Sequence, residues 1–525
     1  MLRKEILFAM LLIASVYSKA QVSIIPLPAE VNMPATAGSF MMSASTPIFV
    51  EGSGMTNTID FLNLYLKQVY GFTLKESKVK SGEGIRLNFE KMDKPTPGAY
   101  TLQVRKEGIY ISGDNENGVF YGIQTLIQLM PVGKSASLKI PFISITDYPR
   151  FQYRGLMLDV GRHFFPVDFV KKYIDYIALH KMNYFHWHLT EDQGWRIPVP
   201  KYPLLTKVGG FRDGTIIGRF PGKGNDNLRY GGSYTREEIK DVVAYAAKRY
   251  ITVVPEIEMP GHSSAALTAY PYLGCTGGPY KVQQTWGVFN DVFCAGNDTV
   301  FTFLQNVIDE VVALFPSKYI HIGGDECPKT SWKTCPKCQK RIKDNNLKDE
   351  NGLQSYFIRR MEKYINSKGK TIIGWDEILE GGLAPNAVVM SWRGEKGGIE
   401  AARQNHDVIM TPGSYVYLDH SQTKKEDSVA IGGFLPIETV YGYEPVPKEL
   451  TAAEATHIMG AQGNVWTEYM GNTQKVEYMI FPRMSALSEV LWSPAAKRNW
   501  AGFQPRLQQQ YKRYDLWKAN YYKGE

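Results

Sequence analysis

Residues 319–328 read YIHIGGDECP: a short apolar run, two glycines, then two adjacent acids, Asp325 and Glu326. Paired carboxylates suit glycoside hydrolysis, in which one protonated carboxyl supplies the leaving oxygen with a proton and a second acts as nucleophile or base. In that scheme the two acids flank the sugar, and neighbours leaving one strand can hardly straddle a ring. The pair fits better with a substrate that brings its own nucleophile. A 2-acetamido group can attack the anomeric carbon while one carboxyl acts as acid and the other braces the amide. Acids after a strand also cap helices, so the surrounding sequence has to discriminate.

From Arg154 onward, short apolar runs recur, each ending in polar or aromatic residues: GLMLDVGRH, NYFHWHLTED, ITVVPEIEMPGH, YIHIGGDE, TIIGWDEI, VVMSWRG, DVIMTPGSYVYLD and HIMGAQGNVWTE. Val170, Tyr173, Ile174 and Ile177 mark a helix after Pro166, between the first two runs. Eight such runs, each followed by a helical segment, predict a (β/α)8 TIM barrel, an α/β fold. A doubly wound open sheet would need a phosphate-binding glycine fingerprint after its first strand, and none is present. Barrel chemistry gathers at the C-terminal strand ends. Those ends carry Arg162, Asp192, His262, Asp325 with Glu326, Trp375, Trp392, Tyr417 with Asp419, and Trp466 with Glu468. Ahead of the barrel, Ile59, Leu62, Leu66 and Val69 predict one helix, and Phe120, Ile123, Leu126 and Ile127 another. AYTLQVRKEGIYISG predicts a hairpin turning at Lys106-Glu107-Gly108. A smaller α+β domain is therefore expected over 21–148, and the barrel with a C-terminal helix over 149–525.

HIGGDE resembles glycoside hydrolase family 20, the exo-β-N-acetylhexosaminidases, and DVGRHFFP, HWHLTEDQGWR, EMPGH, GWDE, SWRG, YLD and WTE follow the same pattern. The likeness spans nearly all of the chain after residue 20, because that family carries an α+β domain before its barrel. It implies release of terminal β-linked GlcNAc or GalNAc with retention, through an oxazolinium formed by the substrate's own acetamido group, and with no cofactor or metal. By motif, Glu326 is the expected acid and then base, with its pKa raised toward the working pH. Asp325 is expected to stay ionised and orient the acetamido N–H, while Tyr417 holds the acetamido oxygen. Trp375, Trp392 and Trp466 should wall the sugar. Arg162, Asp419 and Glu468 should hold its hydroxyls, with Asp192 and His262 as a supporting dyad. Arg162 and Glu468 could also form a buried ion pair. A binding-only barrel would be expected to have lost Asp325, Glu326 or Tyr417, and all three are present.

His186 and His188 in HWH resemble the metal strand of barrel amidohydrolases, but the later strands offer no matching ligand set. They are read as polar lining, and Asp376 and Glu377 as structural or outer residues. Gly214–Gly232 is an insertion-like stretch, read first as a flexible surface loop and alternatively as shaping an outer subsite.

Composition is ordinary for a globular chain of 525 residues, with 44% hydrophobic and 21% charged residues, which favours more than one domain. Aromatics at 13% suit either a carbohydrate cleft or a large core. Residues 1–20, with Arg3 and Lys4 before an apolar stretch and Ser18-x-Ala20 at its end, read as a signal peptide. Export to the periplasm or the outside follows, without membrane insertion after cleavage. The rest of the formal charge of +8 is spread along the chain with no dense basic block, which argues against nucleic acid as partner. Of five cysteines, Cys327, Cys335 and Cys338 cluster and Cys275 and Cys294 flank a loop. The cluster lacks a fourth ligand for zinc, so disulfides with one odd thiol are expected.

Overall fold

The computed structural model describes residues 22–524, apart from 80, 93–95, 136 and 426–428. The expected signal peptide lies outside the described residues.

Eight parallel strands close into a barrel: β1 Tyr153–Asp159, β2 Tyr184–His188, β3 Thr252–Glu256, β4 Tyr319–His321, β5 Thr371–Trp375, β6 Val388–Ser391, β7 Val408–Met410 and β8 Ile458–Gly463, with β8 pairing back onto β1. Each predicted run coincides with one barrel strand, and NYFHWHLTED also holds the short strand Thr190–Glu191. Tyr153, Val254, Tyr319, Ile373, Val388, Met390 and Ile409 pack inside the barrel, while a larger apolar layer fills the space between strands and helices. Strands covered on both faces read as near-continuous apolar runs, and β1 is buried along its whole length.

The helix expected after Pro166 spans Val167–Leu179. One crossover departs from the expected pattern. Between β5 and β6 there is only a 3-10 turn, Asp376–Leu379. Those twelve residues, with Gly381, Gly382 and Pro385 among them, are too few and too rich in breakers for a crossover helix.

Upstream, six strands form a mixed sheet in the order Glu30–Asn32, Ile143–Asp147, Tyr100–Arg105, Gly108–Gly113, Gly84–Phe89, Ile48–Glu51. Tyr100–Arg105 and Gly108–Gly113 are the predicted hairpin, and the two predicted helices span Thr56–Tyr70 and Glu116–Leu129. The second is buried nearly all round rather than on one face. It lies between its own sheet and the barrel: Phe120 packs on Phe61 and Tyr250, and Tyr121 packs on Trp492 and accepts a hydrogen bond from Arg154 at 2.9 Å. Asp147 fastens this junction. Its carboxylate accepts from Lys181 Nζ at 2.9 Å, Tyr100 Oη at 2.6 Å and Trp492 Nε1 at 2.9 Å, all fully buried.

The expected disulfides are absent among the described residues; all five cysteines are free thiols.

Candidate active site

The chain leaves β4 through Ile322 and turns at Gly323 and Gly324, with φ of +64° and +92°. A Cβ on Gly323 would lie 1.8 Å from Glu258 Oε2, and one on Gly324 would lie 2.6 Å from Ile378 Cγ2. Only glycine fits this path, and the turn brings Asp325 and Glu326 to the barrel mouth. Two non-glycine residues at the same mouth, Glu326 (φ +42°) and His262 (φ +46°), also sit in the left-handed region. Such conformations cost roughly 1–3 kcal/mol each and cluster at functional sites.

His262 links the acids. Its Nδ1 lies 2.9 Å from Glu191 Oε1 and 3.1 Å from Asp192 Oδ2, while its Nε2 faces Glu326 at 3.5 Å and Asp325 at 3.7 Å. Burial alone would lower the imidazole pKa, but Glu191, Asp192 and Glu326 outweigh it and raise it well above the usual histidine value. Burial and that cation together reorder the expected acidities. Burial pushes Asp325 up to about 7, against the pull of His262 and with a further rise from Glu326. Glu326 is lowered, first by its hydrogen bond with His262. A raised Glu326 and a freely ionised Asp325 were expected. In the open site the order is reversed, because Asp325 is buried whereas the Glu326 side chain keeps 37% exposure beside a cation.

A cleft of about 810 Å³ opens over this pair. Nine of the expected site residues line it: Arg162, Asp325, Glu326, Trp375, Trp392, Tyr417, Asp419, Trp466 and Glu468. Asp192 and His262 stand behind Glu326 instead. The aromatic walls are braced from outside. Trp375 Nε1 donates to Glu256 Oε1 at 2.8 Å and Trp392 Nε1 to Glu377 Oε2 at 2.9 Å. Trp375 and Trp466 have centroids 5.7 Å apart, and Tyr417 stacks on Trp392 at 6.1 Å. Tyr417 itself is fixed by Leu418 N–H donating to Asn464 O and Asn464 N–H donating to Val416 O.

Arg162 ion-pairs with Glu191 and lies 3.6 Å from Asp159, with its guanidinium 5.0 Å from the Trp466 ring centre. The considered pair with Glu468 is therefore not its closest contact. Several buried polar atoms of the cleft residues have no hydrogen-bond partner: Arg162 Nε and Nη1, Asp325 Oδ1, both Asp419 carboxylate oxygens and Glu468 Oε2. Burial raises Asp419 well above the ordinary carboxylate range, and Glu468 is raised as well. Buried polar groups are almost always paired, so this set converging on one cleft marks it as built for a polyhydroxylated ligand.

His186 and His188 do not line the cleft. Together with His321 they surround Glu256, at 3.0 Å from His186 and 2.8 Å from His321, with His188 in closer contact still. Burial would raise Glu256, but the three imidazoles hold it well below the usual range, and its fixed carboxylate in turn orients Trp375. Asp376 accepts from Arg393 Nε at 2.7 Å and Glu377 from Trp392, the outer positions expected of them. Burial, with Asp325 nearby, pushes Glu377 up to about 8.

Sequence reasoning missed Glu191, Glu256 and, in the outer wall of the cleft, Trp286 and Tyr469, whereas it did single out the loop Gly214–Gly232 for an outer subsite. The wall contains Arg219 and Phe220 from the insertion-like loop, Trp286 from the β3 loop and Tyr469 after β8. Tyr469 Oη accepts the Phe220 N–H at 3.0 Å. Glu191 had a signal, being the neighbour of Asp192 in the HWHLTED run. Trp286 lies in a loop with no periodicity and had none.

Known proteins share this two-domain fold. The model of the glycosyl hydrolase family 20 catalytic domain matches residues 151–495, and that of the family's domain 2 matches 21–148. A beta-hexosaminidase of Porphyromonas gingivalis is 47% identical over 95% of this chain; the chain spans 64% of that relative's length. The structure of the exo beta-N-acetylglucosaminidase of Vibrio harveyi in complex with N-acetylglucosamine superposes with a TM-score of 0.85 at 32% identity, covering 96% of this chain and 78% of that one. The beta-N-acetylhexosaminidase of Streptomyces coelicolor gives a TM-score of 0.82 at 30% identity, covering 96% and 98%. With its two domains matched in order and its acid pair at the mouth of the barrel, this chain belongs to glycosyl hydrolase family 20.

Proposed function

We propose that the protein is an exported exo-β-N-acetylhexosaminidase that removes a terminal, non-reducing β-linked GlcNAc or GalNAc with retention of configuration. The observation that carries this reading is Asp325. It lines the cleft with its buried Oδ1 lacking a protein donor, beside a second acid that remains accessible. An acetamido N–H supplies the missing donor.

In the first step the acetamido oxygen attacks the anomeric carbon as the glycosidic bond breaks, and the leaving oxygen takes the proton of Glu326. The positive charge spreads over the oxazolinium next to Asp325. In the second step water attacks the anomeric carbon, Glu326 takes its proton and the acetamido oxygen departs. Tyr417 hydrogen-bonds the acetamido oxygen and keeps it in line, where a misplacement of ~1 Å can cost ~10²-fold. Trp375, Trp392 and Trp466 wall the ring. Arg162, Asp419 and Glu468 bind the hydroxyls of a terminal sugar, and Asp192 with His262 positions Glu326. Substrate binding also restores the acidities the reaction needs. Covering Glu326 removes its water and raises it, while the amide donor and the developing cation favour ionised Asp325.

Rates on aryl β-GlcNAc and aryl β-Glc test this directly, since the two differ only in the 2-acetamido group. Cleavage of the acetamido sugar alone supports the reading; comparable cleavage of both refutes it.

A further inference from the structure

Cys275, Cys294, Cys335 and Cys338 bring their sulfurs to within 4.8 Å of one another. Three of the edges are nearly equal: Cys275–Cys338 at 3.8 Å, Cys294–Cys335 at 3.7 Å and Cys294–Cys338 at 3.7 Å. A tetrahedron of zinc–thiolate bonds of about 2.3 Å has sulfur–sulfur edges of about 3.8 Å. Two disulfides would give each sulfur one near partner at about 2 Å and a more distant remainder. Here Cys294 and Cys338 each have two equivalent neighbours, so no pairing is singled out. We propose that these four cysteines bind one structural zinc ion, a site separate from the cleft.

The local structure is built for such a clamp. One pair comes from the long loop after β3, where an antiparallel bridge between Gly274 and Phe293 sets Cys275 beside Cys294. The other is the C-x-x-C at the start of the helix Pro336–Asp344, after β4. The two segments meet at van der Waals limits: a Cβ on Gly296 would lie 2.2 Å from the carbonyl carbon of Lys337 and 2.4 Å from Cys338 N. Trp332 Nε1 donates to Phe293 O at 2.9 Å, and Ser331 Oγ to Asn290 O at 2.8 Å. Four thiolates around Zn²⁺ leave a net charge of −2, and the segment carrying the C-x-x-C is basic, with Lys340 paired to Asp344 and Arg341 to Asp298. From Cys327 to Lys343 the chain has six Lys or Arg residues and no acid. Three of the four cysteines are buried and Cys275 is partly so.

Two of the four ligands thus come from about 40 to 60 residues upstream of the C-x-x-C, and Cys327 is the odd thiol. The clamp joins the loop carrying His262 and Trp286 to the loop carrying Asp325 and Glu326, so it holds the two halves of the acid network in register. It is independent of the proposed reaction, in which zinc takes no part.

Elemental analysis of the full chain purified without chelator tests the site. About one zinc per chain is expected, released by a thiol-binding mercurial and detected with a zinc-sensitive dye. Cys275→Ser and Cys338→Ser should each lower zinc content at least tenfold, whereas Cys327→Ser should retain it. Should the serine variants fail to fold, the wild-type chain still decides. Alkylation after unfolding with chelator but no reductant should add five adducts by intact mass. A single adduct, indicating two disulfides, or five adducts on a chain that bound no zinc, would overturn the proposal, as would iron in place of zinc.

Discussion

Asp325→Asn isolates the charge that the proposed mechanism places beside the intermediate. The substitution keeps shape and an acceptor oxygen, so the neutral acetamide of the bound substrate can still donate to it, and KM should change little. The charge matters only once the oxazolinium forms. An anion and a cation about 4 Å apart, the reach of one hydrogen bond plus one covalent bond, interact by about 4 kcal/mol at an effective dielectric near 20. At about 1.4 kcal/mol per tenfold, that amounts to roughly 10³-fold in kcat. Such a loss, confined to kcat, is the mark of an interaction made in the transition state. The assay is steady-state hydrolysis of an aryl β-GlcNAc, with circular dichroism to check that the fold is intact. A decrease of less than about tenfold, or an effect on KM alone, would remove Asp325 from the role assigned to it.

Four further outcomes follow from the same geometry. Glu326→Gln should depress turnover far more for alkyl or sugar leaving groups than for nitrophenol, which departs without a proton; a plot of rate against leaving-group acidity checks this. His262→Gln removes a cation that lowers both Glu326 and Asp325. Both carboxyls should then titrate higher, so both limbs of the kcat/KM–pH profile should move to higher pH; a fixed profile would count against the coupling. Phe220→Ala, at a mouth residue 55% exposed, should raise KM for chitooligosaccharides up to about tenfold through lost stacking and leave KM for a small aryl glycoside nearly unchanged. Lys181→Met strands the buried Asp147 carboxylate between the domains, which should cost about 3–5 kcal/mol in urea unfolding, and adding Asp147→Leu should recover much of it.

Strand runs were legible because each is a short apolar stretch ending in polar residues, a pattern imposed locally by burial in the barrel wall. The acid pair was legible for the same reason, since Gly323 and Gly324 announce a turn that few sequences tolerate. The β5–β6 crossover departed from that pattern because a helical segment was expected after every strand, whereas only twelve residues separate these two. Glu191 was passed over although it adjoins Asp192, because adjacency does not give the direction of a side chain, and Trp286 lies in a loop whose sequence carries no periodicity at all.

By itself, then, the chain determined which strand ends carry the reactive groups, because strand, turn and following residues are contiguous. Proton affinity and metal ligation were decided only by the tertiary structure, because both depend on groups brought together from distant segments. His262 comes from the β3 loop and lowers both carboxyls on the β4 loop, while burial at the barrel mouth raises Asp325 above Glu326. Cys275 and Cys294 complete a four-sulfur cluster with a C-x-x-C more than 40 residues away. Electrostatic and coordination energies depend on distance in space, and that distance was set when the two loops packed together.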